Sequence, residues 1–259
     1  MPSPLLYLPL VHVTSTSVIE PVSDTSRIDW TTMRIEAVGK GNVITNAADY
    51  TKAELSSMDF ANETLQHAVF AVDVDSETDY QSLLNRNDEI SRSIESVAKR
   101  YNVSDVVYVD GDAVESTVFI DMHDLLRSYI IERSGVEGRV RPPKGVEHTG
   151  VIIDARHIEF EPIILPTISM NGDDKWLSVE DFSKYSAQSK FPFMYAVSAS
   201  NPDVIAKVGT NPALYMADDS NLDTLHVHNI DSNPVTTDEK ESIMGNGRVV
   251  ILLSSEPNP

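Results

Sequence analysis

The sequence predicts an α+β protein: a small antiparallel sheet packed by two helices, followed by a second, β-rich α+β domain. Three observations carry this. Residues 47–70 and 87–101 hold apolar side chains at helical spacing. Two β-rich runs flank Asp110-Gly111-Asp112, a hairpin signal. A Pro- and Gly-rich stretch, 134–146, separates these from a half that opens on Val151-Ile152-Ile153, an unbroken apolar run suited to a strand buried on both faces.

Residues 1–29 are rich in Ser, Thr, Pro and Val without a period and read as an extended arm, with one strand at Leu5 to Val13. Met33, Ile35 and Ala37 alternate with Arg34 and Glu36, a half-buried strand that Gly39 and Gly41 should end. Asn46 can cap a helix whose face is Ala48, Leu55, Met58, Leu65, Val69 and Val72. Asn87 can cap a second, with Ile90, Ile94, Val97 and Tyr101 on one side. Val103 to Val109 and Val114 to Ile120 form the hairpin, and His123 to Ile131 a short helix. This closes a first domain, 30–133, with 134–146 as linker.

The second domain, 147–256, starts at Gly150 to Ala155. Pro162 and Pro166 restrict 158–168 to an edge or irregular strand, and Asn171-Gly172 signals a tight turn before Trp176 and Leu177. Phe191 to Val197 is a strand, Asn201-Pro202 begins a short helix, and Ala213 to Ala217 is a strand. Leu225 and Val227 alternate with His226 and His228. Pro234 fits the first turn of a helix through Met244, with Asp238 and Glu239 near its positive end, before a last strand at 249–253.

Composition narrows function. The chain has 259 residues, enough for one or two domains and a hydrophobic core. Its hydrophobic fraction of 41% and charged fraction of 23% are globular, which argues against wholesale disorder. Its 40 acidic and 20 basic side chains give a charge of −20, which repels phosphate backbones, so no nucleic-acid partner is expected. The nearest thing to a basic patch, Arg133, Arg139, Arg141 and Lys144, is interrupted by glycines and prolines and has no aromatic residue. Cysteine is absent, which removes disulfides, thiolate metal sites and cysteine nucleophiles. No apolar run reaches the ~20 residues of a transmembrane helix. Leu5 to Val13 is broken by Pro9 and has no preceding Lys or Arg, unlike a signal peptide, so an exported form would have lost its leader ahead of Met1.

The run TGVIIDARHIEFEPIILPTI at 149–168 resembles a segment of exported bacterial proteins, in which a strand reading YTGLIIDARG precedes an apolar stretch and a hairpin. VGTNPALYMA at 208–217 and GRVVILL at 247–253 resemble that family's later segments. IDWTTMRIEAVGKG and the two helices resemble the small domain of flagellum-associated outer-membrane lipoproteins, similar to flagellar assembly proteins T and P. His157 stands where that family has glycine, Thr149 lacks its preceding aromatic, and there is no cysteine to lipidate. The resemblance implies a structural or assembly role in the periplasm or at the outer membrane, with no catalytic residues to carry over.

Three constellations have chemistry to weigh. Asp154 and Arg156, two apart, can form a buried structural pair at a strand end or an anion site. His226 and His228 share a strand face and could hold zinc if Asp231, Asp223 or His67 joined them; on an alternating strand they are equally surface side chains. Asp73, Asp75 and Glu77 space like a calcium loop, but Thr78 and Leu84 occupy the positions where that loop needs Gly and Glu, which leaves a solvated turn. There is no G-x-S-x-G elbow and no phosphate loop. The expectation is a non-catalytic structural protein of the cell envelope without a cofactor, partnered by its own kind or by other envelope proteins through strand edges. The alternatives are a metal-dependent hydrolase using His226 and His228, or a small-molecule or glycan-binding module.

Overall fold

The computed structural model describes residues 17–43, 48–86, 88–109, 112–143, 145–170, 175–231 and 233–255. The fold is α+β. Its first half runs β1 (Ile19–Ser23), β2 (Ser26–Asp29), β3 (Arg34–Asn42), α1 (Ala48–Val69), β4 (Asp73–Asp75), β5 (Thr78–Asp79), α2 (Tyr80–Asn85), α3 (Glu89–Ala98), β6 (Asn102–Val109), β7 (Ala113–Asp121) and α4 (Met122–Arg133). Five strands form an antiparallel sheet in the order β1-β2-β3-β7-β6. Residues 19–29, expected in an extended arm, are instead the β1–β2 hairpin on its edge. The expected strand at Leu5 to Val13, the caps at Asn46 and Asn87, and the turns at Asp110-Gly111 and Asn171-Gly172 fall outside the described residues.

Side-chain alternation makes this sheet one-sided. Ile35, Ala37, Val114, Val118 and Ile120 are buried toward the helices. On the opposite face, Arg27 pairs with Glu36 at 2.7 Å and the Arg34 guanidinium lies 4.4 Å from the Phe119 ring centre.

α1 spans the expected residues and buries Leu65 and Val69 as expected, with Val72 buried just beyond it, but its first half buries a different stripe. Its inner face is Ala53, Ser57, Ala61, Leu65 and Ala68; Leu55, expected in the core, is 59% exposed. The cause is on β3. Gly39 and Gly41 do not end that strand; they pair with Ser116 and Val114, and the strand continues to Asn42. A Cβ on Gly39 would run into the Ser57 carbonyl, and one on Gly41 into that of Ala53. The helix backbone therefore rests almost on the sheet, only small residues fit between, and Ser57 Oγ reaches Ser116 Oγ at 2.6 Å. Asp88 caps α3 through the Ser91 N–H at 3.0 Å.

The second half holds β8 (Gly150–Asp154), β9 (Thr167–Met170), two short 3-10 turns at Val179–Asp181 and Ser186–Gln188, β10 (Phe193–Ala196), α5 (Pro202–Val208), β11 (Pro212–Asn221), β12 (Thr224–Asn229), α6 (Thr237–Gly245) and β13 (Val249–Leu252). The sheet order is β10-β13-β8-β11-β12-β9, and every pair is parallel except β11 with β12. Parallel neighbours need crossovers. α5 makes one between β10 and β11, which run the same way, whereas α6 links β12 to β13, which run opposite ways. Central β8 is buried on both faces, as its apolar run requires. Val151 and Ile153 join the main core; Ile152 packs with Met194, Val204, Val208 and Leu252 under α5. Pro234 lies before α6, whose cap is Thr236.

Buried side chains form one continuous cluster through both sheets. Trp30 of the first half meets Tyr195 of β10 edge-to-face, with ring centres 5.7 Å apart. The Tyr195 hydroxyl donates to the Ile163 carbonyl at 2.7 Å. Backbone N–H groups of Ile164 and Leu165 donate to Asp73 and Val74 of β4. The stretch expected as a linker is also fastened: Gly135 and Val136 donate to the Glu180 and Phe182 carbonyls, and Lys184 donates back to Val136.

The α1–β3 contact is sensitive to volume at one position and not at another. Gly39→Val should cost about 2–3 kcal/mol through overpacking, and Leu55→Ala less than about 0.5 kcal/mol as a surface change; urea denaturation of both variants checks this.

Candidate functional site

The end of β8 is fixed by its own side chains. Asp154 receives Arg156 Nε at 2.9 Å and Nη2 at 2.6 Å, and its Oδ1 also accepts the Arg156 backbone N–H at 3.2 Å. Hydrogen bonding from Arg156 holds the Asp154 carboxyl below the usual carboxylate range, against a smaller opposing effect of burial. The pair forms but is not buried: the Arg156 side chain is 48% exposed.

His226 and His228 do share the polar face of β12. Nδ1 of His228 lies 2.7 Å from Asp218 Oδ1, out of line for a hydrogen bond. The proposed third ligands are engaged elsewhere. Asp231 accepts the Leu214 N–H at 2.7 Å, Asp223 accepts the Ser76 N–H at 3.2 Å, and His67 is in the last turn of α1. Among the described residues no three His, Asp or Glu side chains are grouped to hold a metal.

The acidic run forms the β4–β5 hairpin. Asp75 accepts the Glu77 N–H at 3.1 Å and the Tyr129 hydroxyl at 3.1 Å, while Asp79 caps α2 through the Ser82 N–H at 2.7 Å. Asp73 faces away, toward a cleft at the junction of the halves. Asp75 and Asp79 thus serve the turn and the helix start.

Sequence reasoning missed two clefts between the sheets and the full role of Glu239. One cleft, about 540 Å³, brings Glu20, Asp73, Glu159 and Glu161 together beside Phe160. Burial raises the Glu20 carboxyl, a hydrogen bond from Trp30 Nε1 at 2.8 Å opposes this, and Asp73 and Glu161 add to the rise. The other, about 440 Å³, is lined by Lys190, Lys207, Arg248 and His123. Neither could be read from the sequence, because each is assembled from several separate segments drawn from both halves of the chain.

Glu239 is 5% exposed and joins α6 to the approach of β8. Its Oε1 accepts the Glu147 N–H at 2.7 Å and the His148 N–H at 3.1 Å; its Oε2 accepts from Thr236 N and Oγ1, both at 3.0 Å. Burial alone would raise its pKa, but these donors together draw it down to about 2. The capping-box spacing Thr236-x-x-Glu239 was a legible signal for the Thr236 half of this arrangement.

The most exposed apolar element is β6. It ends the first sheet, with β7 on one side and, among the described residues, no strand on the other. Val103, Val107 and Tyr108 are all exposed, and the Tyr108 ring lies 5.8 Å from that of Tyr50 on α1. Two other edges are better protected: β10 is wholly buried, and β1 carries Pro21.

Compared with known proteins, the chain matches no family model and no curated protein. No helix among the described residues is long and apolar enough to cross a membrane.

Two stability effects follow. Arg156→Ala should cost less than about 1 kcal/mol, as a largely solvated pair, whereas Glu239→Ala should cost about 2–4 kcal/mol by stranding several donors. Because Glu239 is more acidic folded than unfolded, its contribution is present above pH 4.5 and is lost as pH falls toward 2. Denaturation of wild type and Glu239→Gln between pH 7 and pH 3 should show the gap between them narrowing as the pH falls.

Proposed function

We propose that this is a non-catalytic structural or assembly protein of the bacterial cell envelope, which engages partners, including copies of itself, by adding strands at the edge of its first sheet. The observation that carries this reading is β6: eight residues at a sheet end, with Val103, Val107 and Tyr108 exposed and no proline or lysine on the strand. An edge of this kind offers unpaired backbone N–H and C=O groups together with apolar contact area. The envelope setting, and a flagellum- or surface-structure association within it, rest on the resemblance at 149–168, 208–217 and the first-half segment. Against a metal-dependent hydrolase stands the placing of the possible ligands: among the described residues no three His, Asp or Glu side chains are grouped to hold a metal.

Light scattering over a hundredfold range of concentration tests the edge. The average mass of the wild type should rise with concentration, and the double variant Val103→Lys/Val107→Lys should stay monomeric because charge on the edge opposes pairing. A wild type that remains monomeric throughout, and that retains no partner from an envelope extract, would falsify the reading.

A further inference from the structure

The chain carries twice as many acidic as basic side chains, yet one cleft gathers cations. It lies between the halves, about 440 Å³ in volume, with Thr31 to Met33 and His123 on one wall and the starts of β10 and β13 on the other. Lys190 stands exposed, while Lys207 and Arg248 are partly covered. Among the described residues none of the three is ion-paired. The Lys207 ammonium donates to the Phe191 carbonyl at 2.9 Å, and Arg248 Nη1 to the Thr149 carbonyl at 3.3 Å.

The carboxylates on these walls do not neutralise them. Asp121 is bound to the first turn of α4, accepting the His123 N–H at 2.9 Å. Asp203, on the same helix as Lys207, forms no ion pair with it. His123 is held by the Ala187 carbonyl at 3.1 Å and stacks edge-on to Phe191. Lys207 is half-buried overall, but its ammonium end is the enclosed part. That enclosure, with Lys190 nearby, lowers its pKa to about 7. A desolvated cation whose own protein supplies only a carbonyl is short of a counter-charge.

We propose that this cleft is a binding site for a small oxyanion-bearing molecule, its phosphate or carboxylate head held by Lys207, Lys190 and Arg248. Phe191, which lines the cleft beside His123, gives the body of such a ligand an apolar contact.

Calorimetric titration with inorganic sulfate at pH 7.5 tests the proposal, with ionic strength held constant by chloride and the titration repeated in two buffers of different ionisation enthalpy. Sulfate stays fully ionised, so any proton taken up belongs to the protein. The expected result is saturable binding with uptake of more than about half a proton, as the bound anion recharges Lys207. Lys207→Met should abolish that uptake and weaken binding at least about tenfold. Replacing a buried ammonium by an apolar chain of similar length is tolerated by most folds. If this variant nevertheless unfolds, Lys190→Gln, at an exposed position, decides the matter and should weaken binding about threefold. Absence of saturable binding to the wild type, or affinity and proton uptake unchanged in the folded variants, would overturn the site.

Discussion

The meeting of Trp30 and Tyr195 is the contact on which the arrangement of the two sheets depends. Trp30 is 1% exposed and closes the loop between β2 and β3; Tyr195 is 1% exposed at the centre of β10. An edge-to-face aromatic contact stabilises by about 0.5–1.5 kcal/mol beyond burial itself. Its larger effect is geometric. Trp30 is also held by Glu20 through its indole N–H, and Tyr195 by the backbone of Ile163. Both rings are thus fixed by polar anchors on opposite sides of the junction. The strand-like bonds from β4 to 164–165 follow the same seam, and both clefts open along it.

The two sheets answer different packing problems. The first has a single apolar face, so its outer surface can carry alternating charges and its last strand can remain open. The second is buried on both faces around β8, so other parts of the chain cover both of its surfaces there. An interaction surface on β6 and a ligand cleft at the seam are therefore compatible: the two occupy separate parts of the molecule.

The high acidity looks different once the side chains are placed. Asp79, Asp88, Asp121 and Glu239 cap helices, and Asp75, Asp223 and Asp231 bind backbone N–H groups of turns and strand ends or nearby hydroxyls. Carboxylates suit this because ionised acceptors strengthen such bonds and favour helix N-termini. Their abundance reflects local structural work as well as surface charge. It explains why spacing alone, as in Asp73, Asp75 and Glu77 or His226 with Asp231, suggested metal sites that the fold does not assemble.

The sequence by itself determined the elements whose cause is local. The one-sided alternation of β3 and β7, the two-sided run of β8, the helix at 48–69 and the Asn201-Pro202 helix start were legible because period, caps and turn residues act over a few positions. Even the Asp154–Arg156 pair was legible, since its members are two residues apart. Tertiary structure alone decided which stripe of α1 is buried, because that depends on how closely Gly39 and Gly41 let the helix approach. It decided that the β8 sheet is mainly parallel, that Gly135 and Val136 are bound down, and that Lys190, Lys207 and Arg248 share one cleft. These are contacts between segments far apart in the chain, and no local pattern encodes the distance between them.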